Sequence, residues 1–106
     1  CTYVDDVVEG IVRTLNAKPY PQKKLKHSIY NIGFGKPVTV KAILKQIELN
    51  TGKKALVKTL PKHTSEMNKT YCSTLKFNND FNFKPKVKIN DGLKNFNDWY
   101  KSYHLK

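Results

Sequence analysis

Residues that could carry chemistry are few in this chain, and most of them stand alone. Cys72 and His63 are the residue types of a thiol nucleophile and its base, but nothing local in the sequence would lower the thiol pKa. Cys72 therefore reads as a small buried residue. His27, His63, His104, Cys1 and Cys72 lack the ligand spacing that zinc sites need, so no metal site is expected. Two cysteines could form at most one bridge, whereas small secreted scaffolds carry several, and both are read as free thiols. Asp5 and Asp6 open an apolar-periodic segment, where a carboxylate accepts backbone N–H bonds and meets the positive end of a helix dipole. They are expected to cap a helix rather than to catalyse. The run Gly33-Phe34-Gly35-Lys36-Pro37 permits close backbone approach, yet it does not complete a dinucleotide fingerprint, so it predicts a tight bend.

The elements that must position these residues follow from periodicity. Val4, Val7, Val8, Ile11, Val12 and Leu15 recur at helical spacing, which predicts a helix over Tyr3 to Leu15 with one apolar face docked on something. Asn16 to His27 contains Pro19, Pro21 and several lysines without apolar period and predicts a solvated loop. Ser28 to Ile32 predicts a short strand entering the glycine turn. Thr39 is placed to cap a second helix, Val38 to staple against Ile43, and Val40, Ile43, Leu44 and Ile47 to form its buried stripe. Gly52 suits the left-handed residue that ends it. Leu56 to Leu60, closed by Pro61, predicts a second strand, followed by a polar loop from His63 to Asn68. Ser73 is expected to cap a short helix carrying Phe77 and Phe81, with Asn82 as its left-handed terminator and Pro85 blocking continuation. The last helix, about Ile89 to Tyr103, should bury Ile89, Leu93, Phe96, Tyr100 and Tyr103, with Trp99 beside them. The sum is an α/β piece, mostly helical with two short strands.

Composition bounds the function. A chain of 106 residues with 39% hydrophobic content makes at most one small domain with a thin core. It opens on Cys1 and has no methionine before Met67, so it is expected to be a piece of a longer polypeptide. Neither a signal-peptide apolar region nor a membrane-length apolar run is present, and a cytoplasmic setting without membrane contact is expected. The net charge of +12 would suit phosphate-bearing partners. Of the twenty basic residues, however, only Arg13 is arginine, whereas base readout leans on arginine forks. The lysines are scattered through nearly every segment alongside many asparagines, so the charge reads as compositional bias and no nucleic-acid partner is expected.

Several blocks occur in a recognisable order. They are Thr-Tyr-Val-Asp-Asp-Val-Val-Glu-Gly-Ile-Val-Arg at 2–13, Tyr-Asn-Ile-Gly at 30–33, Lys-Pro-Val at 36–38 and Asn-Thr-Gly-Lys-Lys-Ala at 50–55. Lys-Thr-Tyr at 69–71, Phe-Lys-Pro-Lys at 83–86, Asp-Gly-Leu-Lys at 91–94 and Trp-Tyr-Lys at 99–101 complete the set. In these the chain resembles, over essentially its whole length, the C-terminal part of extended short-chain dehydrogenase/reductases, closest to the UDP-glucuronate epimerase group of NAD-dependent epimerases and dehydratases. The resemblance implies a small C-terminal substrate-binding part, residues 1–106, whose NAD-binding Rossmann domain lies upstream. It also implies a UDP-sugar substrate, a parent enzyme that could be a homodimer, and NAD held by the parent and not by this fragment. The glycine-rich pyrophosphate loop is absent, and no catalytic residue is assigned to the chain.

Carried over position by position, the resemblance implies four substrate-binding residues. Val38 matches a position that packs near the uracil, and Tyr71 matches a tyrosine lining the diphosphate end. His63 and Glu66 fall where the family has glutamine or arginine and then aspartate, in a Gln/Arg-x-Gly-Asp pattern. Thr64 and Ser65 depart from that pattern, Ser73 stands where an aspartate is common, and a phosphate-binding arginine would fall upstream of Cys1. Two other readings are a basic nucleic-acid-binding module, motivated by charge alone, and an inactive structural remnant of an epimerase, suggested by the altered 63–68 loop.

Overall fold

The structure is a computed structural model that describes residues 1–17, 28–66 and 71–104. It contains four helices: α1 (Val4–Asn16), α2 (Val40–Thr51), α3 (Leu75–Phe81) and α4 (Ile89–His104). The chain divides into two compact units. Unit 1 comprises Cys1–Lys36 with Tyr71–Val87, and unit 2 comprises Pro37–Thr70 with Lys88–Lys106.

Unit 1 is built around aromatic rings. Phe77 on α3 and Phe83 just beyond it are each only 2% exposed, and their rings meet edge to face at 5.7 Å. Tyr30 adds edge contacts to Phe77 at 5.8 Å and to Phe81 at 5.1 Å, geometry that places the positive ring edge on a negative face. Polar links fix the same residues from outside. The Tyr30 hydroxyl donates to Asp80 Oδ2 at 2.7 Å, and Lys76 Nζ donates to the Ile29 carbonyl at 2.8 Å while lying 4.4 Å from the Tyr30 ring centre. Asn82 ends α3 with φ 49° and ψ 46°, the left-handed conformation that asparagine tolerates better than most residues. The cap at the other end of α3 falls on Thr74 rather than Ser73, without a side-chain cap bond.

Helix α1 sits in unit 1 by an unexpected face. Its N-cap is Tyr3, which makes no side-chain cap bond, and neither Asp5 nor Asp6 acts as the cap. Asp6 is 3% exposed, and its Oδ2 accepts the backbone N–H groups of Lys86 at 3.1 Å and Val87 at 2.9 Å. One turn on, Gly10 is buried where Ile32 and Phe83 press so closely that a β-carbon would lie 3.1 Å from Ile32 Cδ1 and 3.3 Å from Phe83 Cε1. Arg13 completes this face, donating to the Asn82 carbonyl at 3.0 Å with its guanidinium 5.4 Å from the Phe83 ring centre. At 100° per residue Asp6, Gly10 and Arg13 share one side of the helix, and the apolar stripe of Val4, Val8, Ile11 and Leu15 lies nearly opposite. All four stripe residues are exposed.

Unit 2 pairs α2 with α4. Thr39 caps α2 as its sequence position predicts, its Oγ1 accepting the Ala42 N–H at 3.1 Å. Gly52 ends the helix at φ 69°, donating its N–H to the Glu48 carbonyl. Asn97 Nδ2 on α4 donates to the Asn50 carbonyl at 3.2 Å, and Glu48 Oε1 accepts the Ala55 N–H at 2.9 Å, tying the following segment back to α2. Two parts of the expected core are not buried. Val40 and Ile47 are exposed on α2, none of whose residues is fully buried, and Phe96, Trp99, Tyr100 and Tyr103 of α4 are between 43% and 64% exposed. A single helix pressed on a single helix covers only a narrow seam, and the rings extend beyond it.

The expected α/β class with two short strands is wrong: among the described residues all regular structure is helical. Neither Ser28 to Ile32 nor Leu56 to Leu60 forms a strand. Their side chains have strand-forming character, but a strand exists only when a neighbour completes its ladder, and that pairing is set by contacts distant in sequence. Leu56 is fully solvent-exposed, at 104% of its reference surface, and Val57 and Leu60 are largely so, so nothing among the described residues supplies the covering layer.

Candidate functional site

The glycine turn and the segment after Thr70 meet in unit 1. Thr2 Oγ1 accepts the Phe34 N–H at 3.2 Å, which holds the N-terminal segment against the turn. Gly33 is buried, and a β-carbon there would collide with Cys72 Sγ and come to 3.5 Å from Thr2 Oγ1. Gly35 adopts φ 77°, a region that side chains other than glycine enter at a cost. The turn is therefore the tight bend its sequence predicts, and the thiol of Cys72 fills the space beside Gly33. Replacing Gly33 by alanine is expected to destabilise the chain by about 1–3 kcal/mol through overpacking. Cys72→Ala in the same chain should recover part of that loss, read as a non-additive pair of urea midpoints.

Beside this turn lies a groove of about 460 Å³ lined by residues of both segments, including Phe34, Gly35, Lys36, Tyr71, Ser73 and Lys84. Tyr71 is thus placed on a concave wall and is 66% exposed. The other three implied binding residues belong to unit 2. Val38 is half-buried just ahead of the α2 cap, and His63 and Glu66 are exposed. These two share one turn: the Glu66 N–H donates to the His63 carbonyl at 3.1 Å, while His63 Nδ1 lies 2.6 Å from Ser65 Oγ and accepts the Ser65 N–H at 3.3 Å. Tyr71 is placed in unit 1 and the other three in unit 2.

Cys1 and Cys72 are both free, with Cys72 only partly buried. Among the described residues no three His, Cys, Asp or Glu side chains gather where a metal ion could be held; His27 lies outside those residues. Among the described residues no helix is long and apolar enough to cross a membrane. One Tyr-x-x-x-Lys spacing does occur, at Tyr20 and Lys24. That segment lies outside the described residues. What sequence reasoning missed is Lys36 and Lys84 on the groove wall and the tertiary role of Asp6. Lysines everywhere in the sequence hid the first, and a position in the first helical turn disguised the second.

Measured against known proteins, the chain is similar to nucleotide-sugar 4-epimerases, with several UDP-glucuronate 4-epimerases among its homologues. It is 32% identical over 101 residues to the UDP-glucuronate 4-epimerase of Thermodesulfobacterium geofontis, a match that covers 94% of this chain and 29% of that protein. Protein CapI of Staphylococcus aureus is 32% identical over 117 residues, covering 99% of this chain and 35% of CapI. Protein MJ1055 of Methanocaldococcus jannaschii is 36% identical over 99 residues, covering 93% and 28%. The chain therefore spans about a third of the length of these relatives. No family model matches it.

Proposed function

We propose that the chain is the C-terminal, sugar-nucleotide-binding part of a UDP-glucuronate 4-epimerase-type enzyme, contributing substrate contact and not catalysis. The observation that carries this reading is the pattern of the matches: nearly all of this chain aligns, repeatedly, with about a third of proteins named as UDP-glucuronate 4-epimerases. The exposed apolar stripe of α1 supports it. A helix that docks through Asp6, Gly10 and Arg13 while leaving its valines and isoleucine in water is shaped for a second covering layer.

In this reading Tyr71, Val38, His63 and Glu66 are the residues that face the nucleotide sugar. The residues present do not fit NAD. The chain lacks the glycine-rich strand-loop-helix that seats a pyrophosphate, and its one glycine turn is closed by Cys72 packed against Gly33. Cofactor and hydride chemistry would reside in the remaining two thirds of the enzyme.

The coding sequence upstream tests this directly. It is expected to encode a glycine-rich strand-loop-helix and a helical Tyr-x-x-x-Lys pair, and the polypeptide including it should bind UDP-glucuronate in a calorimetric titration. An upstream sequence without those features, or a longer polypeptide that binds no UDP-glucuronate, would overturn the assignment.

A further inference from the structure

Helix α4 carries four rings in water. Phe96, Trp99, Tyr100 and Tyr103 are 56%, 49%, 43% and 64% exposed, whereas Ile89 and Leu93, the aliphatic side chains of the helix, are half-buried. The rings are ordered among themselves. Trp99 and Tyr103 lie 5.5 Å apart with planes 16° from parallel, and Phe96 and Tyr100 lie 6.4 Å apart at 28°. Flat rings on a helix, each set by two side-chain torsions, offer stacking at a low cost in conformational entropy. Their electrostatic setting is one-sided: unit 2 holds eleven lysines against four carboxylate residues. Lys88, whose carbonyl accepts the Gly92 N–H at the start of α4, is exposed and has no ion-pair partner among the described residues. At 100° and 1.5 Å per residue, Lys88 and Trp99 fall within about 20° of one line along the helix, roughly 16 Å apart. Of the acids on α4, Asp98 is paired with Lys94 at 2.9 Å, and Asp91 stands about 12 Å before Trp99 along the axis.

We propose that this face of α4 binds single-stranded nucleic acid, its rings stacking on bases while lysines of unit 2 meet phosphates. The scarcity of arginine argues against readout of base edges and is no obstacle to stacking, which uses the flat face that every base has. Lysine neutralises phosphates as arginine does. A duplex keeps those base faces hidden against one another, so the strand must be single. An anionic bilayer fits less well, because helices that lie in it bury aliphatic as well as aromatic side chains, and the aliphatic ones of α4 are turned inward. The inference stands apart from the epimerase reading, since it calls on neither a nucleotide sugar nor an upstream domain.

Trp99 is the one tryptophan of the chain, so its fluorescence reports stacking on this face. Oligothymidylate of about fifteen nucleotides should quench it in the 106-residue chain, with an affinity that falls as salt is added, while dextran sulfate binds without quenching. By anisotropy of a labelled oligonucleotide, Trp99→Leu and Tyr103→Leu should each weaken binding roughly tenfold. Lys88→Gln should lower the slope of log affinity against log salt by about 0.7, and Lys84→Gln, in unit 1, should change neither quantity. If a ring variant does not fold, quenching of the unsubstituted chain still decides the matter. Absence of binding, binding without a change in Trp99 fluorescence, or binding indifferent to both ring substitutions overturns the proposal. Tighter binding to phosphatidylserine vesicles, with blue-shifted Trp99 emission, assigns the face to lipid and overturns it as well. So does a Trp99 that acrylamide quenches in this chain but not in a polypeptide with the upstream part, because the rings are then covered by that part.

Discussion

Asp6→Ala is expected to lower the stability of unit 1 by about 2–5 kcal/mol, the largest single-site loss foreseen for this chain. The carboxylate is 3% exposed and accepts two backbone N–H groups, from Lys86 at 3.1 Å and Val87 at 2.9 Å. Alanine leaves both donors buried without an acceptor, and each such orphan costs about 1–3 kcal/mol. Because the bonds link positions 80 residues apart in sequence, their loss releases the segment after Phe83 from α1 and not merely a helix end. Asp6→Asn separates the contributions: its amide oxygen can still accept while the charge is gone, so the loss should fall to about 1–2 kcal/mol. Asp5→Ala, on an exposed neighbour, should shift the urea midpoint by less than about 0.5 kcal/mol. If Asp6→Ala and Asp5→Ala prove equally mild, the carboxylate does not hold the unit together.

That contrast marks where the sequence could and could not be read. Signals that act within a few residues were legible: the Thr39 cap, left-handed Gly52 and left-handed Asn82 stand where residue type alone put them. Features decided by distant neighbours were not. Ser28 to Ile32 and Leu56 to Leu60 carry strand-like residues, but no ladder forms for either among the described residues. Asp5 and Asp6 look equivalent in sequence, and only the arrival of Lys86 and Val87 assigns one of them a tertiary bond. Periodicity marks an apolar side on α1 and on α4, but the residues expected to be buried there are largely exposed, because periodicity cannot say whether the covering surface is encoded in the same stretch of chain. The candidate site divides the same way. Tyr71 could be named by resemblance, whereas Lys36 and Lys84 became distinct from eighteen other basic residues only once a groove placed them together.

The face of α1 opposite Asp6 supplies the second large effect. Val8, Ile11 and Leu15 are 51%, 49% and 77% exposed, and together with Val4 and Val12 they present a continuous apolar strip. The isolated chain is expected to self-associate and to bind dyes that report apolar surface. Its net charge of +12 opposes association at low ionic strength, so self-association should strengthen as salt is added, the reverse of binding to a polyanion. The triple variant Val8→Gln/Ile11→Gln/Leu15→Gln keeps good helix formers. It should remain monomeric at every salt concentration in sedimentation, lose most dye binding and unfold within about 0.5 kcal/mol of the parent chain. In a polypeptide that also carries the remaining two thirds found in the relatives, the same three substitutions should instead cost about 3–5 kcal/mol, because side chains buried there would be replaced by polar ones. Harmless alone and damaging in the longer protein is the signature of a face made to be covered. A parent chain that stays monomeric without dye binding, or a triple variant that unfolds by itself, would mean that α1 is already covered within these 106 residues, and the argument for a missing partner half would fall with it.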